Sequence, residues 1–277
     1  MSKRDLLKRL AISVVPLSIM TPMNITSGHA ADDATIKALK EKLVLANKIL
    51  DMEGLARPMG HISVRIPKTD TFLISRNIAP GNVASIDDIV MCNLDGKVIQ
   101  GKYPTYGEIT GHAMVYKMRQ DLSSVAHTHS AAVIALSMTG TTLLLASNQA
   151  MKLHSMKFDT PMTLFGAGHL QKPELCEKVV EGLGPNFAVI LKGHGALIVG
   201  RSLEECVVNA CDIETAARYQ IMASSAGKVL PFDRSELDAL ADFKVRVAKQ
   251  GGDWKEIGTG SSTGRGWEYY TSKVKKG

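Results

Sequence analysis

The sequence predicts an α/β sandwich built on a largely antiparallel sheet, and three observations carry that expectation. Short apolar or alternating runs come in pairs that meet at turn signals, the pattern of hairpins. Helical stripes separate those pairs, as layers packed on a sheet require. The 277 residues, 45% hydrophobic and 22% charged, suffice for a full core without covalent staples and exclude intrinsic disorder. The 24 Gly and 10 Pro follow no period, which excludes a fibrous repeat.

The elements follow in order. From Asp33 to Met52, Leu39, Leu43, Leu45, Ala46 and Leu50 form one helical stripe, ended by Gly54 and Pro58. GHISVRI (Gly60 to Ile66) alternates as a strand, and FLIS (Phe72 to Ser75) is its hairpin partner across PKTDT. IVMCNL and KVIQ flank Asp95-Gly96, a hairpin turn signal. A helix over Gly107 to Arg119 precedes the strand SSVAHTH (Ser123 to His129) and a second helix over Ser130 to Met138. The stretch Thr141 to Gly168 has no regular pattern. Pro173 starts a helix to Gly182, and FAVILKGHGALIVG (Phe187 to Gly200) makes two strands joined at Gly193 to Gly195. A long helix follows, with Ser202 and Glu205 spaced as a capping box, then another from Arg234 to Lys249. After Gly251 the tail is Gly/Ser-rich, with Trp254, Trp267, Tyr269 and Tyr270 as its aromatics.

The N-terminus has its own character. Lys3, Arg4, Lys8 and Arg9 against Asp5 supply half of the net charge of +6. They precede the apolar run Leu10 to Met20 and a polar stretch with Gly28 and Ala30, the layout of a secretory signal cleaved after Ala30. A membrane anchor is the alternative, but the run is too short for a bilayer core of about 30 Å and Pro16 interrupts it. SKRDLLK resembles a twin-arginine export signal with Lys3 in place of the first arginine. The expectation is a periplasmic or secreted protein, with residues 1–30 as signal, 31–228 as catalytic domain and 229–277 as a C-terminal helix and aromatic tail. No stable membrane insertion is expected after cleavage. Beyond the first ten residues no basic stripe with interleaved aromatics appears, so no nucleic-acid surface is expected. The four Cys are too few for a disulfide scaffold and are expected as buried thiols.

Several residues carry chemistry. His127 and His129, two apart in a strand, project from one face at about 7 Å spacing, which suits two ligands of one metal. Taken alone, such a pair is more often solvated or hydrogen-bonded than a ligand pair. His194 sits in the corner Gly193-His194-Gly195, where glycines permit a sharp turn, in a ligand position or a merely packed one. Glu108 begins a helix with His112 one turn later on the same face. A carboxylate there favours the helix dipole, and it also suits an acid/base beside a metal.

The order Glu108, His112, His127-Thr-His129 and Gly193-His194-Gly195, with GHISVR, NLDG and LKGHGALIVGRSLEE around it, resembles the class II aldolase/adducin family. The match runs from about Ala31 to Gly227. The resemblance implies a three-layer α/β/α sandwich, a divalent metal held by His127, His129 and His194, and Glu108 as catalytic carboxylate; His112 matches a family position of less settled role. Zn²⁺ or Mn²⁺ leads among the ions expected, with Fe²⁺ or Co²⁺ also compatible. It also implies a cyclic homotetramer with sites between subunits, and the tail aromatics would suit docking onto a neighbour or onto their own subunit.

Departures from the family pattern bear on substrate. The small phosphate-cradling turns are replaced by Gly60-His61, SRNIAPG (Ser75 to Gly81) and Tyr106-Gly107-Glu108, so a phosphorylated sugar is not expected. Arg65 and Arg76 stand near those elements and could grip a carboxylate, or be ordinary strand-surface arginines. With His61 and His112 they complete the expected substrate-binding set. GHISVR with SRNIAP is similar to the branch of hydroxy-aromatic and heteroaromatic carboxylate decarboxylases. The expectation is a metal-dependent carbon–carbon lyase on a small hydroxy-acid. The alternatives are an aldolase or epimerase working through an enediolate, non-haem iron oxygenase chemistry, and a non-catalytic adducin-like scaffold.

Overall fold

The structure is a computed structural model and describes residues 32–154, 162–166, 170–249 and 261–275. The expected signal segment lies outside the described residues, as do Trp254 and parts of the irregular middle stretch. Helix α1 (Asp33–Met52) is capped by Asp32, whose side chain accepts from Thr35 N at 2.8 Å. It buries Leu43, Ala46, Ile49 and Leu50. Strands β1 (His61–Arg65) and β2 (Thr71–Ser75) form the first hairpin, and β3 (Ile89–Asn93) and β4 (Val98–Gln100) the second, with Gly96 at φ +74° in its turn. Next come α2 (Ile109–Met118), β5 (Ser124–Thr128), α3 (Ala131–Met138) and the short α4 (Asn148–Lys152). Strand β6 (Leu164–Phe165), α5 (Pro173–Leu183), β7 (Ala188–Leu191) and β8 (Gly195–Gly200) lead into α6 (Leu203–Ala226), α7 (Arg234–Lys249) and α8 (Ser261–Val274).

The eight described strands form one sheet in the order β4-β3-β2-β1-β5-β8-β7-β6, antiparallel throughout except for the β6–β7 pair. Strand alternation sorts side chains onto two faces. Ile62, Val64, Ala126, Ile190 and Ile198 face one core with residues of α1, α3 and α6. Phe72, Ile74, Val125, Val189, Leu197 and Val199 face the other with residues of α2 and α5. The result is the expected three-layer sandwich. All four cysteines are buried and free.

Three local expectations are corrected. The irregular stretch contains α4 and the short edge strand β6. Ser202 caps α6 by accepting from Glu205 N at 3.1 Å, but the Glu205 carboxylate turns to Arg201 N at 2.6 Å and the Arg201 guanidinium. The box is therefore displaced by one residue. The described part of the Gly/Ser-rich tail is the helix α8 on its own chain, where Trp267, Tyr270 and Val274 pack against the α1/α6 core and Tyr269 stays exposed. A β-carbon at Gly266 would lie 2.8 Å from Val208 Cγ2, so the missing side chain permits this close approach to α6. Among the described residues no helix is long and apolar enough to cross a membrane.

Candidate metal centre and active site

One end of the sheet gathers the expected chemistry. The register sets His61 of β1 opposite His127 of β5, and Thr128 opposite Ala196 of β8. His129 follows β5 directly, and its backbone N–H donates to Leu55 O at 2.8 Å. His194 precedes β8 in a turn closed by its own N–H to Leu191 O at 3.0 Å. Gly193 and Gly195 on either side have φ of +67° and +155°. A β-carbon on Gly195 would lie 1.9 Å from Thr128 O, so only glycine lets the His194 turn close over the end of β5. Glu108 precedes the first residue of α2 and aims its carboxylate back over the sheet end, with Leu170 N donating to Oε1 at 3.2 Å.

Ligand atoms of Glu108, His127, His129 and His194 all lie within 4.8 Å of one another. His127 Nε2 is 3.3 Å from both His194 Nε2 and Glu108 Oε2. Bonds of about 2.0–2.1 Å to a tetrahedral ion put ligand atoms about 3.3 Å apart, so this spacing fits a shared cation. Two further observations agree. His129 Nε2 is buried with no hydrogen-bond partner, a cost that a metal bond would remove. His127 directs Nδ1 at Ala196 O, 3.1 Å away, which fixes its tautomer and leaves Nε2 as the lone-pair nitrogen. Burial lowers His127 well below the ordinary imidazole value. It also brings His129, next to His194, down to about 4. Neutral imidazoles are the form that binds metal. Burial alone would raise the Glu108 carboxyl, but His61, His127 and His194 together hold it below the usual carboxylate range. It stands ionised.

The expected substrate-binding residues fare differently. His61 is buried with Nε2 3.7 Å from Glu108 Oε2, and Nδ1 meets His112 Nε2 at 2.8 Å. His112 is fully buried behind it, where its contact is with His61 rather than with the open side of the site. The chain continues from His112 Nδ1 to Ser63 Oγ and from there to Tyr116 Oη, each at 2.7 Å. Arg65 lies at the far end of β1, where its guanidinium holds Leu122 O and Tyr116 O and covers the Tyr116 ring. It ties α2 to the entry of β5 and is not part of the site. Arg76 lies at the site's end of the sheet, but its Nε is committed to Asp88 Oδ1 at 2.7 Å. Two residues went unmarked by sequence reasoning, Ser63 and Tyr116; Tyr106, noted only as part of an altered turn, has its ring 4.4 Å from that of His61. Period would have found the first two, because Ser63 is two residues from His61 on one strand face and Tyr116 is one turn from His112.

Comparison with known proteins bears on this geometry. The chain matches the Class II Aldolase and Adducin N-terminal domain over residues 41–221. It is 27% identical over 243 residues to 3,4-dihydroxyphthalate decarboxylase of Arthrobacter keyseri, covering 80% of this chain and 95% of that protein. It is 28% identical over 258 residues to human gamma-adducin, covering 88% of this chain but 35% of the adducin. The L-fuculose 1-phosphate aldolase of Glaciozyma antarctica PI12 shares the fold with a TM-score of 0.67 and 23% identity, over 87% of this chain and 89% of the other. Its relatives include decarboxylases and aldolases, both lyases, and the chain is an enzyme of that kind. With more than half of its 277 residues matched and the sheet, helices and histidine cluster in place, the chain belongs to the class II aldolase and adducin N-terminal domain family.

Proposed function

We propose that the protein is a divalent-metal-dependent carbon–carbon lyase that decarboxylates a non-phosphorylated hydroxy-acid of aromatic or heteroaromatic type. The observation that carries the reading is the partnerless, buried Nε2 of His129 among three converging imidazoles and one ionised carboxylate. His127, His129 and His194 would hold the ion, with Zn²⁺ or Mn²⁺ the best matched to the donors. A bound divalent ion supplies Lewis acidity that draws electrons from the substrate as carbon dioxide leaves.

The chain's own residues account for the proton. Glu108 is ionised at rest, so it begins as a base and takes the proton of the substrate hydroxyl. The bond to the carboxyl carbon then breaks, its electron pair stays on the substrate carbon, and Glu108 returns the proton to that carbon. His61, held by His112, which Ser63 holds in turn, keeps the carboxylate aimed between the substrate and His127. Burial at the sheet end limits competing water.

A decarboxylase and a sugar-phosphate aldolase match at 27% and 26% identity, and the replacement of the phosphate-cradling turns by Gly60-His61 and SRNIAPG supports the non-phosphorylated acid of the two. The test is carbon dioxide release from a panel of hydroxy-aromatic acids, with pyruvate and aldehyde release assayed beside it. Aldehyde without carbon dioxide would move the assignment to the aldolase chemistry of the same fold. The complete ligand set favours an enzyme over a scaffold. Two further parts of the proposal have their own tests: N-terminal sequencing of exported protein for a mature start near Ala31, and light scattering for a homotetramer.

A further inference from the structure

The loop between α1 and β1 carries an unusual residue beside the metal centre. Among the described non-glycine residues only Arg57 and Lys68 have positive φ, at +49° and +61°. Lys68 is in the turn of the β1–β2 hairpin, which accounts for it. Arg57 opens the turn over residues 57–59, and it precedes Pro58, which restricts its backbone further. Its conformation is imposed from both sides: Leu55 and Ala56 N–H groups donate to Leu50 O, and Gly60 N–H closes back on Ala56 O at 2.7 Å. The same loop receives the His129 N–H at Leu55 O. A strained residue that its surroundings hold in place next to a reactive centre points to a function.

What that function is follows from the cavity there. Arg57, Pro58, Met59, His129, Ile134 and Met138 line a depression of about 410 Å³. Its walls are apolar apart from Arg57 and His129. Arg57 is exposed, and among the described residues no carboxylate or carbonyl engages its guanidinium. The loop offers few backbone donors to a phosphate, because Pro58 has no N–H and those of Leu55, Ala56 and Gly60 are already used. One planar cation beside apolar walls matches a carboxylate on a flat, apolar body.

Resting on the lyase reading, we infer that Arg57 is the specificity-determining residue of the site: it binds the carboxylate of an aromatic acid whose ring lies against Met59, Ile134 and Met138, beside His129. Arg57 orients the acid and takes no part in bond breaking. The position that Arg65 and Arg76 were expected to fill belongs to a residue on the neighbouring loop.

The test is calorimetric titration of the full chain, zinc-loaded and metal-free, with 4-hydroxybenzoate, its carboxamide and inorganic phosphate. Arg57→Gln should weaken 4-hydroxybenzoate by about 10- to 100-fold, the worth of a hydrogen bond to a charged group. It should leave carboxamide binding and the melting temperature nearly unchanged, and Arg57→Lys should recover part of the loss. Equal binding of the acid by wild type and Arg57→Gln overturns the inference. So does failure of wild type to bind the acid, or an Arg57-dependent preference for phosphate. Because binding is read without turnover, Arg57-dependent binding with no carbon dioxide release would remove the decarboxylase assignment and leave this inference standing.

Discussion

Replacing Gly195 with Ala tests whether the His194 turn is built as the geometry says. The new β-carbon would sit 1.9 Å from Thr128 O and 3.0 Å from Thr128 C, both backbone atoms. No rotamer change relieves that contact, so the ends of β5 and β8 must part where Thr128 pairs with Ala196. Overpacking of this kind costs about 1–3 kcal/mol, and a strained φ adds about 1–3 kcal/mol. A total of about 2–6 kcal/mol lowers the melting temperature by about 4–24 °C in a domain of this size. The same movement separates His129 from His194, so metal affinity should fall by about 10- to 100-fold, as when supporting contacts of a ligand are lost. Gly193→Ala is the control: its φ is +67° but a β-carbon there meets nothing within 4 Å, so only about 1–2 kcal/mol is expected. Thermal unfolding of the metal-free proteins and a metal titration supply both numbers. A Gly195→Ala protein as stable and as metal-avid as wild type would refute the reasoning.

Three further outcomes are expected. Glu108→Gln should keep its metal and lose about 10²- to 10⁴-fold in turnover, because an amide cannot exchange the proton; retained activity in the metal-loaded variant counts against the assigned role. Arg65→Met should cost about 1.5–3 kcal/mol of stability through the lost bonds to Leu122 O and Tyr116 O, with KM unchanged; a raised KM without destabilisation would return Arg65 to the substrate site. Arg76 lowers the pKa of Asp88 below its ordinary value of 3.8, so this pair stabilises the fold above about pH 4 and the contribution is lost as pH falls through the lower folded value. The stability gap between wild type and Asp88→Asn should therefore shrink toward acid pH, and a gap that widens there contradicts the assignment.

The legible parts of the site were those with a local period. His127 and His129 share a strand face by the rule of two, and glycines on either side of His194 announced a sharp turn, at which Gly195 has no room for a β-carbon. What period does not reveal is position along an element. Arg65 is four residues from His61, about 13 Å along a strand, and only the register of β1 with β5 shows which end carries the site. The tail was misjudged for a related reason. Its glycines lower helix propensity, but Gly266 is where α8 meets Val208 of α6, and tertiary packing outweighs the local preference. Arg57 was invisible because a left-handed backbone at a non-glycine residue has no sequence signal.

The central claim is that three histidines hold one ion, and metal content measured by mass spectrometry on the purified full-length protein tests it most directly. Wild type should carry about one divalent ion per chain after loading and desalting. His129→Ala should retain little while its metal-free melting temperature stays near that of wild type, since the removed Nε2 makes no hydrogen bond. Stoichiometric metal in His129→Ala, or none in wild type, would contradict the account.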